Sequence, residues 1–432
     1  MSVARVAFLS MLAVTVAAAE TIPGRVAFVG VDHQVYVAKP DGGEPARVTG
    51  GEPARMTSVE GLRRVAIQDE GGEGAFRFSY PSWSPDGERL LLLGTRVSAS
   101  GMPQRAGIYR VGARAGGPVT PLHEDARGGP IYVYWEPRGR RAAVLLSEGT
   151  GVRLGLLDTE KGDLHVLRHG FPFYFDWRDD GRRLLVHTGG AASVEHPAEV
   201  SLLDLETRDD SGAPAARRVS AWPVAFRAPA WSPDGKQIVY AARADAGKPS
   251  ELFLAGRDGD SPRRITAASS RLTFSWAADG ALALAEVAAP DSPLLAGVNL
   301  VSTDDGRREP LWAGPVGAFF WSPDGKRLLI ASPDFDNGQW RWIVVDRDER
   351  ESREVARFLP NPEFQMLLLH FDQYALSHRL WAPDSRHFVF AAYPADAREE
   401  EGPVEPVVWI VDTKEAKSRQ VAQGRSAFWS PR

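Results

Sequence analysis

Trp83-Ser84-Pro85-Asp86-Gly87 returns intact as Trp231-Ser232-Pro233-Asp234-Gly235 and as Trp321-Ser322-Pro323-Asp324-Gly325. Each residue after the Trp has a turn-forming reason to be there. Proline presets φ at the first central position, Asp bonds nearby backbone N–H groups, and Gly accepts the exit geometry. Degenerate copies read Trp-Glu-Pro-Arg-Gly from Trp135, Trp-Arg-Asp-Asp-Gly from Trp177, Trp-Ala-Ala-Asp-Gly from Trp276 and Trp-Ala-Pro-Asp-Ser from Trp381, with a last partial copy at Trp429. The eight Trp are 52, 42, 54, 45, 45, 60 and 48 residues apart. Periods of this length, filled with short apolar runs and turns, point to the blades of a propeller.

One repeat shows the strand content. Residues 228–231 give a first strand ending in Trp231, and 232–236 the turn. The runs 237–242, 251–255 and 264–267 give three more strands, so the unit is a four-stranded antiparallel sheet. The two ends of the chain complement each other. The last copy supplies one strand and its Trp429, while 25–30, 34–38 and 46–49 supply the three strands that it lacks. Joining them closes the ring and removes exposed sheet edges. The fold expected is therefore all-β, an eight-bladed β-propeller, or seven-bladed if one degenerate copy is not a blade.

The pattern resembles the TolB-type, WD40-like propellers of bacteria. It is also similar to the propeller domain of dipeptidyl peptidase IV and prolyl oligopeptidase-like enzymes. The resemblance runs from Arg25 to Trp429 and concerns the fold, because the shared motif is a structural turn. TolB carries an α/β domain ahead of its propeller, for which this sequence shows no match, so a role in the Tol–Pal system does not carry over. The peptidases carry a hydrolase domain with a Gly-x-Ser-x-Gly elbow, which is absent here. Oligogalacturonate lyases, a third similar class, hold a metal largely through His, and that reading stays open.

Composition narrows the chemistry. The 432 residues include no Cys, which excludes disulfides, thiolate catalysis, thiolate-bound metal and a lipid anchor through Cys. A net charge of −5 without a basic block argues against a nucleic-acid partner. Arg5, the apolar run 6–19 and the closing Ala17-Ala18-Ala19 match a secretory signal peptide over residues 1–19. Residues 20–432 then form a single propeller domain, periplasmic or secreted, and not membrane-spanning. No cofactor is expected.

Two features are candidates for binding. Arg77, Arg227, Arg271 and Arg425, with His378, lie three to six residues before a repeat Trp, at the starts of inner strands. Several cations at one mouth would make an anion-attracting funnel; the alternative is pairing with local carboxylates. The segment 358–379 is strongly apolar and then turns polar at Asp372, Tyr374, Ser377 and His378. It reads as a plug sealing the channel or as a ligand loop, and adjacent Ser377 and His378 are not expected to meet in an extended chain. These residues make the protein a non-catalytic binding module for an envelope protein or for a small anionic or carbohydrate ligand. A hydrolase or lyase acting on polysaccharide or peptide at the same mouth is the alternative.

Overall fold

The computed structural model describes residues 21–432 apart from 51–74, 101, 126–127, 150, 172, 190–197, 211, 224–226, 246–247, 269–271, 288, 290–291, 293 and 398–403. The signal-peptide reading, Arg271 and most of the long excursion after Gly50 lie outside these residues.

The chain is an all-β propeller. Five separate four-stranded antiparallel sheets start at Phe76–Trp83, Pro130–Trp135, Phe173–Trp177, Ala230–Trp231 and Leu272–Trp276. Each of these inner strands ends in a repeat Trp. A sixth, ten-stranded sheet runs from Ala318–Trp321 to Ala46–Arg47 and carries the repeats of Trp321, Trp381 and Trp429. Its joint is one long strand, Lys417–Trp429. Residues 417–423 of this strand pair with Val407–Asp412, and the rest pairs with Val26–Gly30, matching Val26 to Trp429 and Ala27 to Phe428. The ring closes as the ends of the sequence imply. The repeat around Trp231 has the four expected strands, with the first cut to Ala230–Trp231.

The repeated turn owes more to Ser than its sequence reveals. Ser84 Oγ donates to Asp86 Oδ1 at 2.5 Å and accepts from Arg89 N at 3.0 Å, while Asp86 accepts from Glu88 N at 3.0 Å. The same set recurs from Ser232 and from Ser322. In the degenerate copy the longer Glu136 reaches both Arg140 N and Arg141 N with one oxygen. Gly87, Gly235 and Gly325 sit at φ of 73°, 65° and 70°, where a Cβ is strained.

Five of the eight Trp also join neighbouring blades. The indole Nε1 of Trp83, Trp135, Trp177, Trp321 and Trp381 donates to the carbonyls of Phe428, Ser82, Tyr134, Ser275 and Phe320 respectively, at 3.0–3.2 Å. In every case the acceptor directly precedes the Trp of the previous repeat. Trp429 turns to the Pro23 carbonyl instead. Among the described residues, Trp231 and Trp276 have no partner for this donor.

Candidate functional site

The innermost strand of a blade has one edge without a neighbouring strand, so its inward backbone groups need other partners. At one mouth of the ring the segment between Leu359 and Trp381 supplies them. It folds into two short helices, α1 (Pro362–Leu369) and α2 (Phe371–Ser377). Asn361 caps α1, accepting from Phe364 N at 2.8 Å, and Pro362 occupies the first helical turn, where its missing N–H costs nothing. These helices are not part of the sequence expectation. The apolar run is too short and too polar at its end to read as amphipathic.

The polar residues of this plug serve the inner strand edges. Gln373 Oε1 accepts from Phe175 N at 2.8 Å, and its Nε2 donates to the Phe175 carbonyl at 2.8 Å and to Tyr132 Oη at 3.1 Å. Asp372 Oδ2 accepts from Ala228 N at 2.9 Å. Asn361 Nδ2 donates to the Arg425 carbonyl at 2.8 Å. Apolar contacts fill the rest: Phe371 packs on Phe319 and Phe320, and Tyr374 on Tyr80 and Tyr132. Tyr80 donates to the Glu363 carbonyl from a backbone at φ of 45°, rare for a bulky residue and held here by a bulge in its strand.

The candidate residues fall into place around this plug. Asp372, Tyr374 and His378 are buried in it. Arg227 lies 3.6 Å from Asp372 Oδ1, and Arg425 3.3 Å from Glu363 Oε1. Arg77 is exposed, and it shares with Arg425 an influence on His33, whose pKa is lowered mainly by burial and then by these two cations. The three described arginines thus stand near the plugged mouth, and two of them face plug carboxylates.

Ser377 and His378 depart from the expectation for an extended chain. They stand at the end of α2, and Ser377 Oγ lies 2.6 Å from His378 Nδ1 and accepts from Tyr132 Oη at 2.6 Å. Burial holds the His378 pKa down to about 3, against the pull of the Tyr80 carbonyl. His187, whose Nδ1 lies 3.0 Å from the Arg227 carbonyl, is held down to about 4, again chiefly by burial. Asp176 goes the other way. Desolvation pushes it up to about 7 despite a hydrogen bond from Trp231 N at 2.9 Å.

Beside the plug runs a groove of about 530 Å³. Leu368, Leu369 and Phe371 of the plug form one wall, Phe335 and Trp340 the other, and Arg227 lies at one end. Phe335 is 73% exposed and Leu369 62% exposed, so two large apolar side chains of the groove face solvent. Trp340 lies so close to Gly317 that any Cβ there would meet its ring. Nothing in the sequence marks the groove, because its walls come from a hairpin and an insertion more than twenty residues apart.

No family model matches the chain. A curated relative, an uncharacterized peptidase of Bacillus subtilis, is 25% identical over 209 residues, which are 40% of this chain and 31% of that protein's length. The chain therefore spans less than a third of the relative that it matches. Among solved structures, a prolyl endopeptidase aligns with a TM-score of 0.56 and 12% identity over 82% of this chain and 50% of that one. An oligogalacturonate lyase in complex with manganese aligns with a TM-score of 0.51 and 14% identity, over 77% of this chain and 87% of the other. TolB from Acinetobacter baumannii aligns at 0.40 and 17%, over 65% and 63%. Among the described residues no three His, Asp or Glu side chains gather as a donor set for a metal like that lyase's manganese. The chain carries a β-propeller fold similar to that of the prolyl endopeptidase and the oligogalacturonate lyase.

Proposed function

We propose that this protein is an exported, non-catalytic propeller that binds a protein or small ligand at the groove beside its plugged channel mouth. The observation that carries this reading is the groove itself. Its volume lies within the range of about 300–1,000 Å³ usual for ligand sites, and it is largely apolar with few polar groups. Exposed Phe335 and Leu369 have no structural need to face water.

The hydrolase or lyase reading rests on the Ser377–His378 contact and loses support from its surroundings. A general base works best with a pKa near the working pH, and His378 is buried with a pKa of about 3. Asp372 and Tyr374 are occupied in holding the plug. Export rests on the N-terminal pattern, and N-terminal sequencing of the protein from periplasm or medium tests it: a chain starting near residue 20 supports export, and an intact Met1 overturns it.

The binding reading is tested by crosslinking and affinity purification from the producing cells. The native chain is compared with a Phe335→Ser, Leu369→Gln double variant of equal thermal stability. A defined partner captured by the native chain and lost by the variant supports the groove. A partner held equally by both moves the site elsewhere, and turnover of a polysaccharide or peptide by the purified chain overturns the non-catalytic reading.

A further inference from the structure

The groove crosses three blades. Arg227 stands at the start of the blade of Trp231, Leu294 and Leu295 belong to the blade of Trp276, and the hairpin with Phe335 and Trp340 belongs to that of Trp321. Blades follow one another around the ring, so Arg227 marks one end of the groove and the hairpin the other. Leu368, Leu369 and Phe371 of the plug form the wall beside this path. The two ends differ in charge, with Arg227 at the first and Asp334 at the second.

The polar side chains of the hairpin end are engaged with the protein. Asp334 accepts from Asn337 Nδ2 at 2.9 Å and from Arg357 at 2.6 Å. Gln339 donates to the Ala395 carbonyl at 2.8 Å and accepts from Arg357 at 3.3 Å. Gln365, on the plug, donates to the Pro360 carbonyl at 3.2 Å. Arg227 differs. Among the described residues its guanidinium has one ionic neighbour, Asp372 Oδ1 at 3.6 Å, and no hydrogen bond. That oxygen is itself buried without a hydrogen bond, and the other oxygen of Asp372 is taken by Ala228 N. The contact is therefore Coulombic, and the donors of the guanidinium fork remain for a ligand. A part-buried fork beside an apolar wall is best matched by the two oxygens of one carboxylate.

We infer that the groove takes a free fatty acid, its carboxylate on Arg227 and its alkyl chain along Leu369, Phe335 and Trp340 toward the hairpin. This rests on the groove being the binding site. A single charge fits because Asp334 at the far end repels a second one. An alkyl chain fits better than a peptide, because the groove side chains that could serve a row of amides already bond to the protein.

Calorimetric titration of the full chain with hexanoate, octanoate and decanoate, below their micelle concentrations, tests this. Affinity should rise about fourfold for each methylene that the groove covers. Octanol should bind at least tenfold more weakly than octanoate, and Arg227→Gln should remove that difference. Arg227→Lys, which keeps the charge and loses the fork, should fall between. The Phe335→Ser, Leu369→Gln variant should weaken octanoate and octanol alike. Equal binding of octanol and octanoate by the native chain overturns the carboxylate assignment and leaves the groove reading standing. Octanoate binding unchanged in the double variant puts the ligand outside the groove and overturns the inference. Tighter binding of an acetylated apolar tripeptide acid than of decanoate overturns it in favour of a peptide end. No binding of any of the three acids overturns it as well, and the capture experiment alone then decides the groove reading. If Arg227→Gln fails to fold, the comparison of acid with alcohol on the native chain still decides.

Discussion

Five of the eight repeat Trp tie their blade to the one before it by the same indole-to-carbonyl bond, whereas Trp231 and Trp276 do not. The two regions share motif, strand order and apolar packing. They differ in one buried donor per seam, and at Trp231 in the arrival of a carboxylate. Asp176 reaches across that seam to Trp231 N, and the inner strand beyond is only Ala230–Trp231. The sector around Trp231 is thus the less firmly joined part of the ring. Arg227 and the near end of the groove lie beside it. A propeller can therefore keep one architecture throughout while its seams differ in how they are bonded.

The largest expected effect compares the two kinds of seam directly. Trp135→Ala should cost about 3–5 kcal/mol in denaturant unfolding, the usual loss for a buried aromatic. Trp276→Ala, at a half-buried indole without the bond, should cost clearly less. Equal losses would dissolve the distinction between the seams.

A second test uses pH. The Asp176 carboxyl has a folded pKa of about 7, above the 3.8 of the unfolded chain, so it holds its proton more tightly when folded. It favours folding below about pH 4, and that contribution is lost as pH rises toward 7. His187 and His378 act with the opposite sign. Their folded values of about 4 and about 3 lie below 6.5, so their contribution is full above pH 6.5 and disappears on acidification. Asp176→Asn keeps an acceptor for Trp231 N but removes the charge. It should stabilise the protein at pH 8 by up to about 4 kcal/mol, the gap between 3.8 and about 7 at about 1.4 kcal/mol for each pH unit. Melting temperatures of the variant should then rise steadily from pH 4 to 7, while the native profile is flatter. A variant profile parallel to the native one would remove Asp176 from the account.

The smallest effect isolates the hydrogen bond. Trp135→Phe leaves the Ser82 carbonyl without its partner and should cost about 1–2 kcal/mol. Trp276→Phe gives up no bond and should stay within about 0.5 kcal/mol of that residue's packing loss. Hydrogen exchange adds a spatial reading: amides in Gln237–Arg243 should exchange faster than those in Arg327–Asp334, whose blade has the bond at both seams.

Most of the fold was legible because it repeats. A Trp, a turn and alternating apolar runs identify a blade, and two incomplete ends identify the closure. The plug was legible as a plug, but its helices were not. Asp372 reads as a ligand-seeking polar residue when taken alone and Gln373 draws no notice; only the free backbone groups of Phe175 and Ala228 show what the two serve. The Ser377–His378 contact was missed for the same reason, since an extended chain separates neighbours and a helix end does not. The irregular seam left one trace. Asp176 is an acid directly before its Trp, where the other repeats have Ser82, Tyr134, Ala230, Ser275, Phe320, Leu380 and Phe428. The groove left none, because its walls meet only after the blades have formed.

The borrowed partners of Phe175 and Ala228 make those two amides reporters of the plug. Each lies on or beside a blade, yet its proton is held by a plug side chain, Gln373 for one and Asp372 for the other. Their neighbours across the sheet exchange only when a blade opens. If Phe175 and Ala228 become labelled together, ahead of those neighbours, their common rate is the opening frequency of the channel, read without any ligand.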